Sequence, residues 1–125
     1  MQAKIIASLA LVWGTILMAF VPSDTNADAA AGRAAFERRC TGCHALDHEK
    51  AGPRLAGVVG RKAGTVSNFP YSDAVKKAGV VWNEAALDKW LTDPDSVIPD
   101  SDMAFRLDNA AERAAIIAFL KETGK

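Results

Sequence analysis

The sequence predicts a small all-α domain of about three main helices, with shorter ones between them, joined by long loops. Three observations carry this. Apolar residues recur at helical spacing in segments that end in recognisable caps. No alternating or β-branched run is long enough for a strand, Val58-Val59 and Val80-Val81 being the nearest candidates. Glycine and proline gather in two stretches, 45–70 and 93–107, where no periodicity persists. At 125 residues the chain has room for one domain, and it shows no internal repeat or low-complexity tract.

The chain opens on an address rather than on the domain. Lys4 precedes an uncharged run from Ile5 to Val21, followed by Pro22 and the small-residue stretch Thr25-Asn26-Ala27-Asp28-Ala29. A basic start, an apolar run and an A-x-A-like site make a secretory signal peptide. Residues 1–27 are read as that leader and 28–125 as the domain; cleavage after Ala29 also fits, and an uncleaved anchor is the alternative, since seventeen residues lie at the short end of what spans a bilayer. Removing 1–27 takes one base, Lys4, and one acid, Asp24, from fifteen of each, so the formal charge stays at zero. That balance leaves no electrostatic footprint for nucleic acid.

Ala29 to Arg39 is rich in alanine with glutamate and arginine and reads as a helix, Asp28 being available as its N-cap. Phe36 is its one large apolar residue, and Gly32, one turn earlier, leaves room for another helix. This helix runs into Cys40-Thr41-Gly42-Cys43-His44. The C-x-x-C-H pattern marks attachment of a c-type haem: two thiols add across the two vinyl groups and the adjacent imidazole binds the iron. A zinc site needs about four N or S ligands, and only His48 remains after these three. A dithiol redox site expects a βαβ pattern that is not present. A domain just under a hundred residues long buries only about two thirds of its unfolded surface, so a central haem supplies missing core.

The loop 45–70 is punctuated by Gly52, Pro53, Gly57, Gly60, Gly64 and Pro70. So long a loop is uncommon in a compact domain unless it has a function, and wrapping a flat cofactor is one. A short helix over Ser72–Lys77 ends at Gly79. Asn83 caps a better one, with Leu87, Trp90 and Leu91 at i, i+3, i+4 and Pro94 as its stop. After the second loop, Asn109 caps the last helix with Glu112 in capping-box spacing, Ile116, Phe119 and Leu120 form its stripe, and Gly124 closes it.

If His44 holds one face of the iron, the other face needs a ligand or stays open. Met1 and Met18 leave with the leader, so Met103 is the only methionine of the domain, in the Pro99–Phe105 loop far along the chain. His48 is the rival, but it is four residues from His44, too close in sequence to cross the porphyrin. His/Met ligation fills both axial positions and raises the reduction potential relative to two nitrogen ligands or a thiolate.

These residues resemble the class I cytochromes c of the mitochondrial and bacterial cytochrome c2 kind. The matches are dispersed and in order: Gly32 and Phe36 before the haem motif, then Gly52-Pro53-Arg54-Leu55, Gly60-Arg61-Lys62, Phe69-Pro70-Tyr71-Ser72, Trp82, Pro94, Ile98-Pro99, Met103-Ala104-Phe105 and Glu112-Arg113 to Phe119-Leu120. The resemblance implies the small cytochrome c fold around one covalent haem, and roles residue by residue. Pro53 presents its carbonyl to the imidazole of His44. Arg61, Tyr71 and Trp82 donate to a haem propionate. Trp90 stands where the family often has a haem-facing tyrosine, keeping the aromatic body and losing the hydroxyl. Ser101 stands where a small hydroxyl residue bonds near the Met ligand. Gly32 and Phe36 cross Ile116 and Phe119. Val75 replaces a common asparagine, which shrinks the polar network near a propionate.

The function expected is a periplasmic electron carrier and not an enzyme, with Cys40, Cys43, His44 and Met103 holding the haem. It would be monomeric, passing electrons between protein donors and acceptors such as a membrane respiratory complex or a periplasmic dehydrogenase. The alternative is a haem c subunit held permanently in a dehydrogenase or oxidase complex. Where the family's shuttles carry lysines, the Met103 loop has Asp93, Asp95, Asp100, Asp102 and Asp108 against one base, Arg106. Such a loop points to a neutral or basic partner face.

Overall fold

The structure is a computed structural model that describes residues 25–125. The predicted leader lies outside the described residues, except for the backbone of its last three, which begin the first helix. Five helices follow in order: α1 (Thr25–Arg39), α2 (Asp73–Lys77), α3 (Glu84–Thr92), α4 (Pro94–Val97) and α5 (Ala110–Glu122). Among the described residues none is long and apolar enough to cross a membrane.

Helix α1 starts at Thr25, so Asp28 does not cap it. Asp28 lies in the first turn, where a negative charge still favours the helix dipole. Its buried face is narrow, only Gly32, Ala35 and Phe36, and that face crosses α5. A Cβ on Gly32 would overlap the Ala115 carbonyl and the Phe119 side chain, so the two backbones meet where glycine allows it. One turn on, the Phe36 and Phe119 rings pack at 5.4 Å between centroids, tilted by 52°. Arg39 and Arg38 then reach Glu112 at 3.0 and 3.5 Å. Glu112 is therefore turned toward α1 and does not complete a capping box, although Asn109 Oδ1 does accept from the Glu112 N–H at 3.0 Å.

Helix α5 ends on Thr123, not on Gly124. The Thr123 hydroxyl donates to the Leu120 carbonyl at 2.6 Å and accepts from the Gly57 N–H at 3.2 Å, tying the helix end to the first loop. Helix α3 starts as its sequence predicts, Asn83 Oδ1 accepting from the Ala86 N–H at 2.8 Å, whereas Ser72, expected as the first residue of α2, is its cap, its Oγ accepting from the Val75 N–H at 3.3 Å. Gly79, at φ +67°, turns the chain after α2. Pro94 stops α3 and also starts α4, a single turn inside the second loop that no periodicity announced.

The long first loop is folded on itself by backbone bonds, Gly52 N–H to Cys43 O at 2.8 Å and Leu55 N–H to Ala45 O at 2.9 Å. Its far part pairs with the stretch before α3. Gly60 N–H meets Trp82 O at 2.8 Å, Trp82 N–H meets Arg61 O at 2.9 Å and Ala63 N–H meets Val80 O at 2.7 Å. This is one isolated bridge, Lys62 to Val81, and the described residues contain no longer strand. The core joins Leu87, Trp90 and Leu91 of α3 to Ile116, Ile117 and Leu120 of α5. Burying a side chain such as Ile116, 1% exposed, stabilises by about 1.5–3 kcal/mol.

Candidate functional site

The elements enclose a cavity of about 560 Å³ whose wall is mostly apolar. All ten residues singled out from the sequence line it: Cys40, Cys43, His44, Pro53, Arg61, Tyr71, Trp82, Trp90, Ser101 and Met103. They come from seven separate stretches of chain, so the fold and not proximity in the chain collects them. His48 lies elsewhere, 64% exposed on its side chain and bonded to Asp47 at 2.7 Å.

Helix α1 sets one part of the wall. Its last turn continues through Cys40 N–H to Phe36 O and His44 N–H to Cys40 O, both at 2.8 Å, which fixes Cys40 and His44 on the helix end. Cys40 is half-buried and its thiol is pushed up to about 11, by burial first and then by the charge of Glu112. Cys43 is exposed. His44 Nδ1 lies 2.8 Å from the Pro53 carbonyl. A carbonyl only accepts, so Nδ1 carries the proton and Nε2 keeps a free lone pair. Burial holds the imidazole below its ordinary value, and the Lys50 charge adds to this against the opposing Pro53 bond. The ring is thus neutral and able to ligate at neutral pH. Gly52 lies against the ring, and a Cβ there would overlap it.

A second part of the wall holds Met103. Its sulfur accepts from the indole N–H of Trp90 at 3.1 Å. The resemblance implies that the hydroxyl is lost at this position and the aromatic body kept; the structure adds that the indole N–H donates in its place. Trp90 in turn packs on Trp82 at 5.0 Å between ring centroids. Arg113, buried in α5, fastens the chain that follows Met103: it donates to the Leu107 and Asp108 carbonyls at 2.8 and 2.9 Å and to Asp88 at 2.7 Å.

Two polar groups of the wall show what the cavity suits. Ser101 Oγ is buried with no hydrogen-bond partner among the described residues, and a buried hydroxyl calls for one. Arg61 is half-buried, and burial works against its charge. It donates to the Arg54 carbonyl at 2.8 Å and the Ala56 carbonyl at 3.3 Å, and no ion pair of Arg61 occurs among the described residues. A guanidinium so placed suits an anionic group. The Tyr71 phenolic oxygen accepts from the Val66 N–H at 3.2 Å and its O–H proton is still free to give. A flat apolar body with carboxylates on one edge and a metal at its centre matches this set: apolar wall, imidazole, thioether and cationic donor. Phe69, Phe105 and Leu55 add apolar wall that the sequence reading did not assign.

The cytochrome c family profile matches residues 29–124. The chain belongs to the class I cytochromes c. It is 49% identical over 85 residues to cytochrome c2 iso-2 of Magnetospirillum fulvum, covering 66% of this chain and 88% of that one. It is 40% identical over 101 residues to cytochrome c2 of Rhodoplanes tepidamans, covering 78% and 94%. In structure it is similar to cytochrome cH from Methylobacterium extorquens, with a TM-score of 0.72 and 42% identity over 76% of this chain and 98% of that one. The cytochrome therefore has the small all-α fold expected from its sequence, carries one covalently attached haem c with iron, and is an electron carrier.

Proposed function

We propose that this cytochrome is a diffusible periplasmic carrier whose haem is attached through Cys40 and Cys43 and ligated by His44 and Met103. The haem supplies a one-electron couple at its iron. The residues of the chain do the rest. Pro53 fixes the His44 tautomer and ring orientation, as partners of metal-bound histidine do. Trp90 holds the Met103 sulfur by one lone pair and leaves the other free. Arg61, with Tyr71 and Trp82, receives a propionate and keeps it ionised inside the fold. Ser101 gives the Met103 side a hydroxyl in need of a partner.

The observation that carries this reading is the Trp90 to Met103 bond of 3.1 Å. A methionine that merely fills core needs no donor on its sulfur, whereas a ligand gains from being aimed. With His44 and Met103 both on the iron, no position would remain for a substrate, so the protein would carry electrons and not act as an enzyme. Export follows from the leader read in residues 1–27, with the domain from Asp28 onward. Protein partners on both sides of the transfer, a membrane respiratory complex or a periplasmic dehydrogenase, complete the reading, with the cytochrome a monomer between them.

Carbon monoxide tests the ligation. Reduced wild-type protein should resist it, and Met103→Ala should bind it and show a lower reduction potential, by some fraction of the roughly 0.8 V over which axial ligands set haem potentials. An unchanged spectrum and potential in Met103→Ala would move the ligand elsewhere. Acid-acetone extraction should leave the haem on the polypeptide.

A further inference from the structure

We propose that the mouth of the haem cavity is a dipolar docking face, basic where the 39–50 segment forms it and acidic where the Met103 loop forms it, and that it fits a redox protein whose contact face carries the reverse pair of charges. This rests on the carrier reading and names the partner's chemistry. Electron tunnelling fades steeply with distance, so a partner must meet the cavity where it opens to solvent. The exposed residues that also line the cavity mark that opening. Arg39 and Lys50 are among them on one segment, Asp102 on the other, with the small residues Cys43, Ala51 and Ala104 uncharged among them.

The ion pairs decide what charge is left at each part. Arg38 and Arg39 share the single acid Glu112. One positive charge remains there, and Lys50, which donates to the Thr41 carbonyl, adds a second; of the acids on the same segment, Glu49 is paired with Arg54, and Asp47, bonded to His48, does not line the cavity. On the Met103 loop Asp93 and Asp95 share the single base Arg106, at 2.6 and 3.3 Å. One negative charge remains, and exposed Asp100 and Asp102 add two more, having no ion pair among the described residues. No bridge joins Asp102 to Arg39 or Lys50 among the described residues, so the two charges stay separate. Formal net charge is zero, which removes a uniform attraction and leaves this local separation to orient the encounter. The sequence alone places the acids on the Met103 loop; the fold adds the bases to the same opening. The transfer moves one electron from the reduced cytochrome to the oxidised partner, with no bond made or broken and no proton taken up.

The test uses the haem-loaded, reduced, nitrogen-15-labelled cytochrome with two redox-inert paramagnetic ions, hexacyanochromate(III) and hexaamminechromium(III). At low salt the anion should broaden amide signals around Arg39 and Lys50, and the cation those around Asp100 and Asp102. Both effects should fall about threefold or more between 0.01 M and 0.1 M ionic strength, as the Debye length drops from about 30 to about 10 Å. Asp100→Asn with Asp102→Asn should abolish the cation effect and spare the anion effect; Arg39→Gln with Lys50→Gln should do the reverse. Both ions selecting the same segment, or a double variant that leaves its own ion bound, overturns the proposal. Oxidation by hexacyanoferrate(III) and by tris(phenanthroline)cobalt(III) separates this from the carrier reading. Both rates should rise as salt is lowered, whereas a face of one sign speeds one oxidant and slows the other. Opposite salt slopes refute the dipolar face and leave the carrier reading standing. Ion maps as expected with no oxidation by either reagent refute the carrier reading and leave the charge map standing.

Discussion

The parts of the cavity wall that carry His44 and Met103 are built by different means. The His44 part closes within one short stretch of chain: the helix end positions the ring, Pro53 takes its N–H at 2.8 Å, and Gly52 leaves the space it occupies. The Met103 part is assembled at a distance. Its sulfur depends on Trp90 of α3, and the chain beyond it depends on Arg113 of α5. A local arrangement fails by steric conflict at one position, and a remote one fails by loss of any of several supports. That difference predicts where each gives way.

The largest effect is expected at Gly52. In Gly52→Ala the new Cβ meets the His44 ring, and a ring bonded to the iron as proposed could not move aside, so the backbone of Gly52-Pro53 would have to. Overpacking together with loss of the Pro53 bond should cost about 3 kcal/mol or more. Denaturant unfolding of the haem-loaded variant measures it. A cost under about 1 kcal/mol would show that the His44 part is more compliant than its contacts state.

Arg113→Leu should strike the other part. It strands the Leu107 and Asp108 carbonyls and frees Asp88, which at 48% exposure can be rehydrated. The expected cost is about 2 kcal/mol. If Met103 holds the iron as proposed, its sulfur-to-iron absorption should be lost in denaturant before the fold unfolds, because the Met103 loop is released first. Simultaneous loss of both would mean that the loop is no weaker than the rest.

How much of this was legible in the sequence follows the same division. The Cys40–His44 pentapeptide carries its chemistry in adjacent residues, and Asn83 and Asn109 announce their helices within three positions, so local reading reached them. Gly32 and Phe36 could be read as a crossing because close approach requires a small residue. The Trp90 bond to Met103 joins residues thirteen apart through a side-chain rotamer, and sequence showed only a missing hydroxyl. Glu112 offered a capping box by spacing, but two arginines arriving from α1 outcompeted the local bond. The start of α1 at Thr25 was missed because Asp28 suits a first turn as well as a cap. The pairing of Asp93 and Asp95 with Arg106, which lowers the charge of the Met103 loop, is likewise a product of folding.

A smaller effect belongs to Trp90→Phe, which keeps the ring and removes the N–H. A donor on the thioether draws electron density from sulfur and favours the ferrous state. Its loss should lower the reduction potential. A hydrogen bond of about 1 kcal/mol corresponds to about 40 mV for one electron. Equilibrium redox titration checks both sign and size, with the Met103→Ala value as the lower bound. A rise in potential would show that the indole acts through packing alone.

The smallest effect is expected at Glu112, where α5 meets the end of α1 that leads into Cys40. Its carboxyl is held below the usual range by the Arg39 hydrogen bond first, against some desolvation, and then by the charges of Arg39 and Arg38. A group whose folded value is depressed stabilises the fold above its unfolded value, and that contribution is lost as pH falls through the folded value. Glu112→Gln removes the pair at every pH. The two proteins should therefore differ in Tm near pH 7 and converge only as pH falls below the depressed folded value, where the wild-type carboxyl is protonated in both states. The gap should narrow in about 1 M salt, where the Debye length is about 3 Å, because the arginines are largely exposed. The haem absorption should not change, since Glu112 itself does not line the cavity. A Tm gap that stays constant from pH 7 to pH 3 would assign the role of Glu112 to packing between the helices, and would remove charge from the account of how the His44 part is anchored.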